Sequence, residues 1–200
     1  MKSSAPTLAP LLRSDAQGEL LALLLLHPDE EFSLSDIARK VGVSLPTVHA
    51  EVGRLVANGL LTDRRVGQAR LIRALPEHLL FRPLSELLEL TYGPVVVLVD
   101  VLAGLTGIRE ASIYGSWAAR RLGEPGAPPR DIDVVVVGRT PQADLADAAE
   151  QASRRLHREV NITRITPQVW DIGQDPFVKT LTSRPLVRLR LEETADGASA

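Results

Sequence analysis

The chain has no cysteine and one methionine, and only two tryptophans, two tyrosines and three phenylalanines among its 200 residues. The lack of cysteine excludes disulfides and thiolate metal sites. Apolar runs are short. The longest, residues 20–26 and 94–101, fall well below the length a bilayer span needs and read as buried elements. The first residues carry one lysine and no apolar h-region, so they do not read as a secretory signal, and the expected location is the cytoplasm. There is no internal repeat and no low-complexity tract. With 44% hydrophobic and 24% charged residues, the composition is that of an ordinary globular protein, and the length suits one large or two small domains.

Net charge is −2, but it is unevenly placed. Residues 33–73 hold seven basic side chains (Arg39, Lys40, Arg54, Arg64, Arg65, Arg70 and Arg73) against three acidic ones (Asp36, Glu51 and Asp63), a net of +4. Residues 76–200 hold 14 basic and 17 acidic, a net of −3. A basic segment joined to a mildly acidic one is what a polyanion-binding module fused to something else would show, although chance placement gives the same count.

Residues 1–13 read as a loose extension. A helix should start at Ser14, which with Gln17 makes a capping-box pair ahead of the apolar run 20–26; His27-Pro28-Asp29 ends it. Phe32 falls in a short extended bridge. A second helix is predicted over residues 34–41, with Leu34, Ile37, Ala38 and Val41 on one face, and Gly42 permits the turn that follows. Ser44 caps a third helix to residue 57. Pro46 lies in its first turn, and Val48, Val52, Leu55 and Val56 form its inward stripe. Gly53 inside this helix costs about 1 kcal/mol relative to alanine, which implies close backbone packing or a weak helix. Residues 60–65 and 69–74 are strand-like and are separated by Val66-Gly67-Gln68, a hairpin signal. A helix, a short helix, a turn, a helix and a hairpin make the winged form of the helix-turn-helix.

In that arrangement the third helix enters the major groove with its N-terminal residues nearest the bases. Ser44, Thr47, Ala50, Glu51 and Arg54 then face outward. Arg64, Arg65, Gln68 and Arg70 on the hairpin can clamp phosphates or enter the minor groove. The competing reading is a winged helix used only for protein contact; the basic balance favours double-stranded DNA.

The stretch LSDIARKVGVSLPTVHAEVGRLVANGLLTDRRVGQARLIRA carries a resemblance, over about residues 15–92, to the ArsR-like winged-helix regulators. The resemblance implies DNA binding as a homodimer. Metal-sensing members use Cys or His clusters; His27, His49 and His78 have no ligand spacing, so metal sensing is not expected here. Residues 76–92 read as a connecting helix rich in leucine, and its stretch 79–90 is the expected dimerisation surface. Gly93-Pro94 marks the domain boundary.

Beyond it the pattern alternates. Residues 95–105 read as a buried helix or strand, which periodicity does not settle, with helix favoured; 110–114 read as a strand, 116–122 as a helix and 123–129 as a Pro/Gly loop. Residues 132–137 read as an apolar strand, 143–157 as a helix, 159–165 as a strand, 175–182 as a helix and 186–191 as a last strand. Alternation of this kind predicts an α/β domain with a mixed sheet, so the whole chain is α+β. Residues 192–200 read as a frayed tail.

Two motifs in this half carry chemistry. Tyr114-Gly115-Ser116 ends a strand and opens a helix, where Gly115 lets a phosphate approach the backbone and Ser116 with the helix N–H groups favours an anion. Asp131-Ile132-Asp133 opens the next strand, so both aspartates share one face and suit Mg²⁺. Arg120, Arg121 and Arg130 border the motif and serve either a triphosphate or a solvated surface. Trp117 and Trp170 read as core or rim residues.

GSWAARRLGEPGAPPRDIDVVVVG resembles the motif of the minimal nucleotidyltransferases of the DNA polymerase beta superfamily, over about residues 93–191. The resemblance implies that Gly115 and Ser116 hold nucleotide phosphates, that Asp131 and Asp133 hold Mg²⁺, and that a third acid stands on a later strand. Asn161 occupies that third position, and asparagine cannot accept a proton. Glu159, two residues earlier on the same strand face, is a candidate to compensate; alternatively it pairs with Arg158 or Arg164. The expectation is a dimeric DNA-binding regulator whose second domain binds a nucleoside triphosphate or related phosphate ligand with weak or no turnover. The alternatives are an active Mg²⁺-dependent nucleotidyltransferase and a pseudoenzyme that scaffolds a toxin-like protein partner.

Overall fold

A computed structural model describes residues 12–191. The tail 192–200 and all but residues 12 and 13 of the expected extension lie outside the described residues. The chain divides into two units, Met1–Gly93 and Pro94–Ala200.

The first unit is built round α1 (Asp15–Leu25), in which Leu20 to Leu25 are all buried. A helix apolar on every side has no face to give to water and becomes the centre of its domain. Ser14 accepts from the Gln17 N–H at 3.3 Å, and the Gln17 side chain accepts in return from the Arg13 N–H at 3.0 Å. After α1 come β1 (Phe32–Ser33), α2 (Leu34–Val41) and α3 (Leu45–Ala57). Ser33 caps α2 and Ser44 caps α3, and each such cap contributes about 1 kcal/mol. Ile37, Val48 and Val52 are fully buried against α1 and the sheet. The hairpin β2 (Leu61–Val66) and β3 (Ala69–Ala74) joins β1 in an antiparallel sheet of order β1-β3-β2. Its turn is Gly67-Gln68, with Gly67 at φ +57°; a two-residue hairpin loop led by such a glycine matches the strand twist.

The expected connecting helix differs from its prediction in two ways. Residues 75–80 form turns, with His78 N–H donating to the Leu75 carbonyl and Phe81 N–H to the His78 carbonyl, and α4 (Phe81–Tyr92) starts only after them. It is also part of the first unit's core. Leu88 is buried, and Phe81, Leu84 and Tyr92 pack on the same cluster as α1.

The second unit contains α5 (Pro94–Leu102), β4 (Ile108–Tyr114), α6 (Gly115–Arg121), β5 (Asp131–Gly138), α7 (Gln142–Leu156), β6 (Glu159–Ile165), α8 (Pro167–Ile172), α9 (Pro176–Thr182) and β7 (Val187–Leu189). Its sheet has the order β6-β5-β4-β7. The β5–β6 pair is parallel, and β4 is antiparallel to both β5 and β7. The sheet is mixed as expected, because α7 makes the crossover that parallel strands need. The central strand β5 is buried at Ile132 and from Val134 to Gly138, the pattern of a strand covered on both faces beyond Asp133. On one face Ile113, Ile132, Val134 and Val160 pack with Leu98, Leu102, Leu145 and Ala152. On the other, Val135 and Ile165 pack with Val178 and Leu181 of α9. The sequence reading missed α8, which begins with a Thr166 cap and Pro167 and ends at Gly173 in the left-handed region.

Candidate functional site

In the first unit the candidate surface is built by α3 and the hairpin. Ser44 accepts from the Thr47 N–H at 3.3 Å, and the two hydroxyls lie 2.7 Å apart. The start of α3 is therefore held by its own side chains. Ser44, Leu45, Pro46, Thr47, Ala50 and Arg54 are exposed, whereas Val48 and Val52 face the core. Glu51 is different from its neighbours: its carboxylate accepts from Arg54 and, at 3.4 Å, from the Gln17 amide of α1. Around Gly53 a Cβ would meet no atom within 4 Å, so close packing does not explain that glycine.

The register of the hairpin sorts its arginines. Leu61 faces Ala74, Asp63 faces Ile72 and Arg65 faces Arg70, and side chains alternate between faces. Arg65, Arg70 and Asp63 thus lie on the core-side face, beyond the core residues Leu61, Ile72 and Ala74. Arg64 and Arg73 lie on the other. The expected cluster of Arg64, Arg65, Gln68 and Arg70 is divided accordingly. Arg64 donates through Nε to Glu31 at 2.7 Å, and this pairing lowers the Glu31 carboxyl below its ordinary range. Arg70 Nε donates to Asp63 at 2.7 Å. Arg65 and Gln68 are exposed at the tip. Arg70 is thus compensated by Asp63, and Arg65, directly opposite it, is the exposed cation of the wing tip.

In the second unit the candidate site lies on the α9 side of the sheet. The parallel register sets Asp131 against Glu159 and Asp133 against Asn161, and the antiparallel register sets Tyr114 against Asp133. All five project from one face, so the sheet brings together the four residues picked from sequence. The Asn161 amide donates to Asp133 Oδ1 at 3.4 Å. Burial, first, and the neighbouring Asp131 charge raise the Asp133 carboxyl above its ordinary range; the Asn161 hydrogen bond opposes this and Glu159 adds to it. Gly115 sits at φ +72°, and a Cβ there would lie 2.7 Å from Asp133 Oδ2. Glycine is required at this bend both for conformation and for space. Arg164 donates to the Thr140 carbonyl at 2.7 Å.

Two residues the sequence reading passed over belong to this corner. Tyr114 is hydrogen-bonded to Thr163, and burial raises its hydroxyl above the usual range. Its ring meets Phe177 edge-on at 5.9 Å. Thr163 stands two residues beyond Asn161, so strand alternation alone would have found it once the register was known. Arg120, expected to serve either a triphosphate or a solvated surface, is engaged locally. Its guanidinium donates to the Glu124 carbonyl and lies over Gly126, pinning the Pro/Gly loop. Ser116 is exposed at the start of α6, where no side chain caps the helix, and Arg130 is exposed just before β5.

Asp131 and Asp133 fit a single hydrated Mg²⁺, an ion commonly held by one or two carboxylates together with water and phosphate. They do not fit a two-metal set. Asn161 presents a donor to Asp133, and no group of three or more His, Asp or Glu side chains able to hold a metal exists among the described residues. No helix of the described residues is long and apolar enough to cross a membrane.

No protein family matches the chain, and no curated protein matches it. Two solved structures are similar in part. One is the transcriptional regulator BldR from Sulfolobus solfataricus, with a TM-score of 0.36 and 18% identity over 50% of this chain and 68% of that one. The other is NolR from Sinorhizobium fredii, with a TM-score of 0.30 and 25% identity over 46% of this chain and 98% of that one. Likenesses of this size are loose, and the functional reading rests on the side chains.

Proposed function

We propose that the chain is a DNA-binding transcription regulator whose first unit reads duplex DNA with α3 in the major groove and the hairpin on the backbone. The observation that carries this reading is the placement of charge: Arg65 is exposed at the wing tip, opposite an Arg70 already paired with Asp63, on a segment of net charge +4, beside a capped helix whose outer face is exposed. A cation so placed meets the phosphates of a duplex. Fluorescence anisotropy with labelled duplex DNA over a salt series tests it. Binding should weaken steeply with salt, and Arg65→Ala should flatten the slope of log K against log salt by about 0.9. Salt-independent binding, or none, refutes the reading.

We place the homodimer contact at α4 and the turn before it. Leu79 is 86% exposed and Leu90 65% exposed, with Leu80 and Leu87 exposed beside them, and apolar surface of that kind marks an interaction site. A dimer would read half-sites about one helical turn apart or a multiple of it. Sedimentation of the wild type against Leu87→Glu/Leu90→Glu checks this: the wild type should sediment as a dimer and the variant as a monomer.

A second reading concerns the second unit and is favoured by the register that gathers Asp131, Asp133 and Glu159 on one face, where burial, first, and the neighbouring acids raise the Asp133 carboxyl. A cation offsets the charge of those acids. In this reading Asp131 and Asp133 hold Mg²⁺, Gly115 and Ser116 seat the phosphates of a nucleoside triphosphate, and Asn161 leaves turnover weak. The metal supplies charge neutralisation at the phosphates. Labelled ATP, CTP, GTP and UTP with Mg²⁺, against an Asp131→Asn/Asp133→Asn control, separate the cases. Binding lost in the control supports a sensor, and transfer lost in the control supports an enzyme.

A further inference from the structure

We propose that Glu51 is a specificity-determining residue of the DNA-facing surface, holding Arg54 in a neutral pair so that this arginine serves a base edge rather than the phosphate backbone. The inference rests on the DNA-binding reading of α3. One carboxylate oxygen of Glu51 accepts from Arg54, three residues on along the same helix. The other accepts from the Gln17 amide at 3.4 Å. Gln17 is itself fixed from its far end, because its carbonyl oxygen accepts from the Arg13 N–H at 3.0 Å. The Glu51 side chain is 18% exposed against 45% for Arg54, so the carboxylate lies inside and the guanidinium outside. The arrangement is a latch that runs from the start of α1 to the outer face of α3.

The consequence follows from charge. A guanidinium carries five N–H donors in a fixed fork. With one engaged by Glu51, the fork is held in a set plane and keeps donors for a bidentate contact such as guanine O6 and N7. The pair as a whole is neutral, so it releases few counterions on meeting a duplex. An unlatched Arg54 would instead find phosphate, which adds affinity for every sequence equally and carries no information. Glu51 thereby lowers indiscriminate binding and preserves discrimination. Arg65, exposed at the tip of the wing, supplies the backbone attraction separately.

The test uses the full chain and two labelled duplexes: a random-sequence pool, and a duplex selected from that pool by the wild-type protein. In Glu51→Gln, which keeps shape and removes charge, the pool should bind three- to tenfold tighter at low salt. Its log K against log salt should steepen by about 0.9, one phosphate contact. The preference for the selected duplex over the pool should fall about fivefold or more. Gln17→Met, which unlatches Glu51 from α1 and leaves its charge, should shift preference in the same direction by less. A purely structural role would change the melting temperature and leave the salt slope alone. An unchanged or shallower slope in a folded Glu51→Gln protein, or equal weakening on both duplexes, overturns the inference and leaves the DNA reading standing. If the wild type itself binds neither duplex, the DNA reading falls and takes this inference with it.

Discussion

Replacing Gly53 by alanine should stabilise the first unit, and the size of the gain follows from the local geometry. Gly53 lies inside α3, between the buried Val52 and the exposed Arg54. It is not among the glycines with positive φ, so an L-residue is at ease there. A Cβ built on it meets nothing within 4 Å, so no overpacking opposes the change. What remains is the helix-interior difference between glycine and alanine, about 1 kcal/mol, much of it from the lower entropy of the unfolded chain. For a domain of this size that is about 4–8 °C in melting temperature. Thermal unfolding followed by far-UV circular dichroism, with the transitions of the two units fitted separately, measures it. A Gly53→Ala protein that melts at or below the wild-type temperature would refute the reasoning, because some group would then have to occupy the space found open.

Four further outcomes can be checked. Tyr92 places a buried hydroxyl without a hydrogen-bond partner among the described residues, over Gly18, where a Cβ would come within 2.0 Å of that oxygen; Tyr92→Phe should leave stability unchanged or raise it by about 1 kcal/mol in urea titration. Gly18→Ala should cost about 1–3 kcal/mol through overpacking, and Tyr92→Phe should recover only part of the loss, since a ring carbon lies 2.5 Å from the same point. The Asp133 carboxyl, raised chiefly by burial and by Asp131, binds its proton more tightly folded than unfolded. The second unit should therefore lose stability as pH rises from the ordinary aspartate range through the raised value, and Asp133→Asn should abolish that decline in melts across pH. Gly115→Ala should destabilise the second unit by about 1–3 kcal/mol, measured by the same melts, because it strains the bend and displaces Asp133.

Much of this architecture could be read from residue spacing because the signals were local. Ser44 caps the helix it precedes, Gly93-Pro94 falls at the division of the chain, and the alternation in Asp131-Ile132-Asp133 puts both acids on one face. What escaped depended on how the chain turns back on itself. The arginines of 64–70 look like one basic cluster until the register assigns Arg64 to Glu31 and Arg70 to Asp63. Arg120 looks like a phosphate ligand until the loop folds back on it. The short helix α8 has no buried residue, so it left no apolar periodicity to find, although Thr166-Pro167 and Gly173 marked its two ends. Tyr114 and Thr163 join the acidic corner only through cross-strand pairing, which a single strand's sequence does not specify.

Mapping of amide chemical shifts in the full chain on adding duplex DNA shows which surface meets the duplex. The perturbations should concentrate at residues 44–54 and 64–70, with the second unit's amides at 131–133 and 159–163 unmoved. Perturbations confined to the second unit, or a first unit indifferent to DNA in low salt, would contradict the DNA-binding reading.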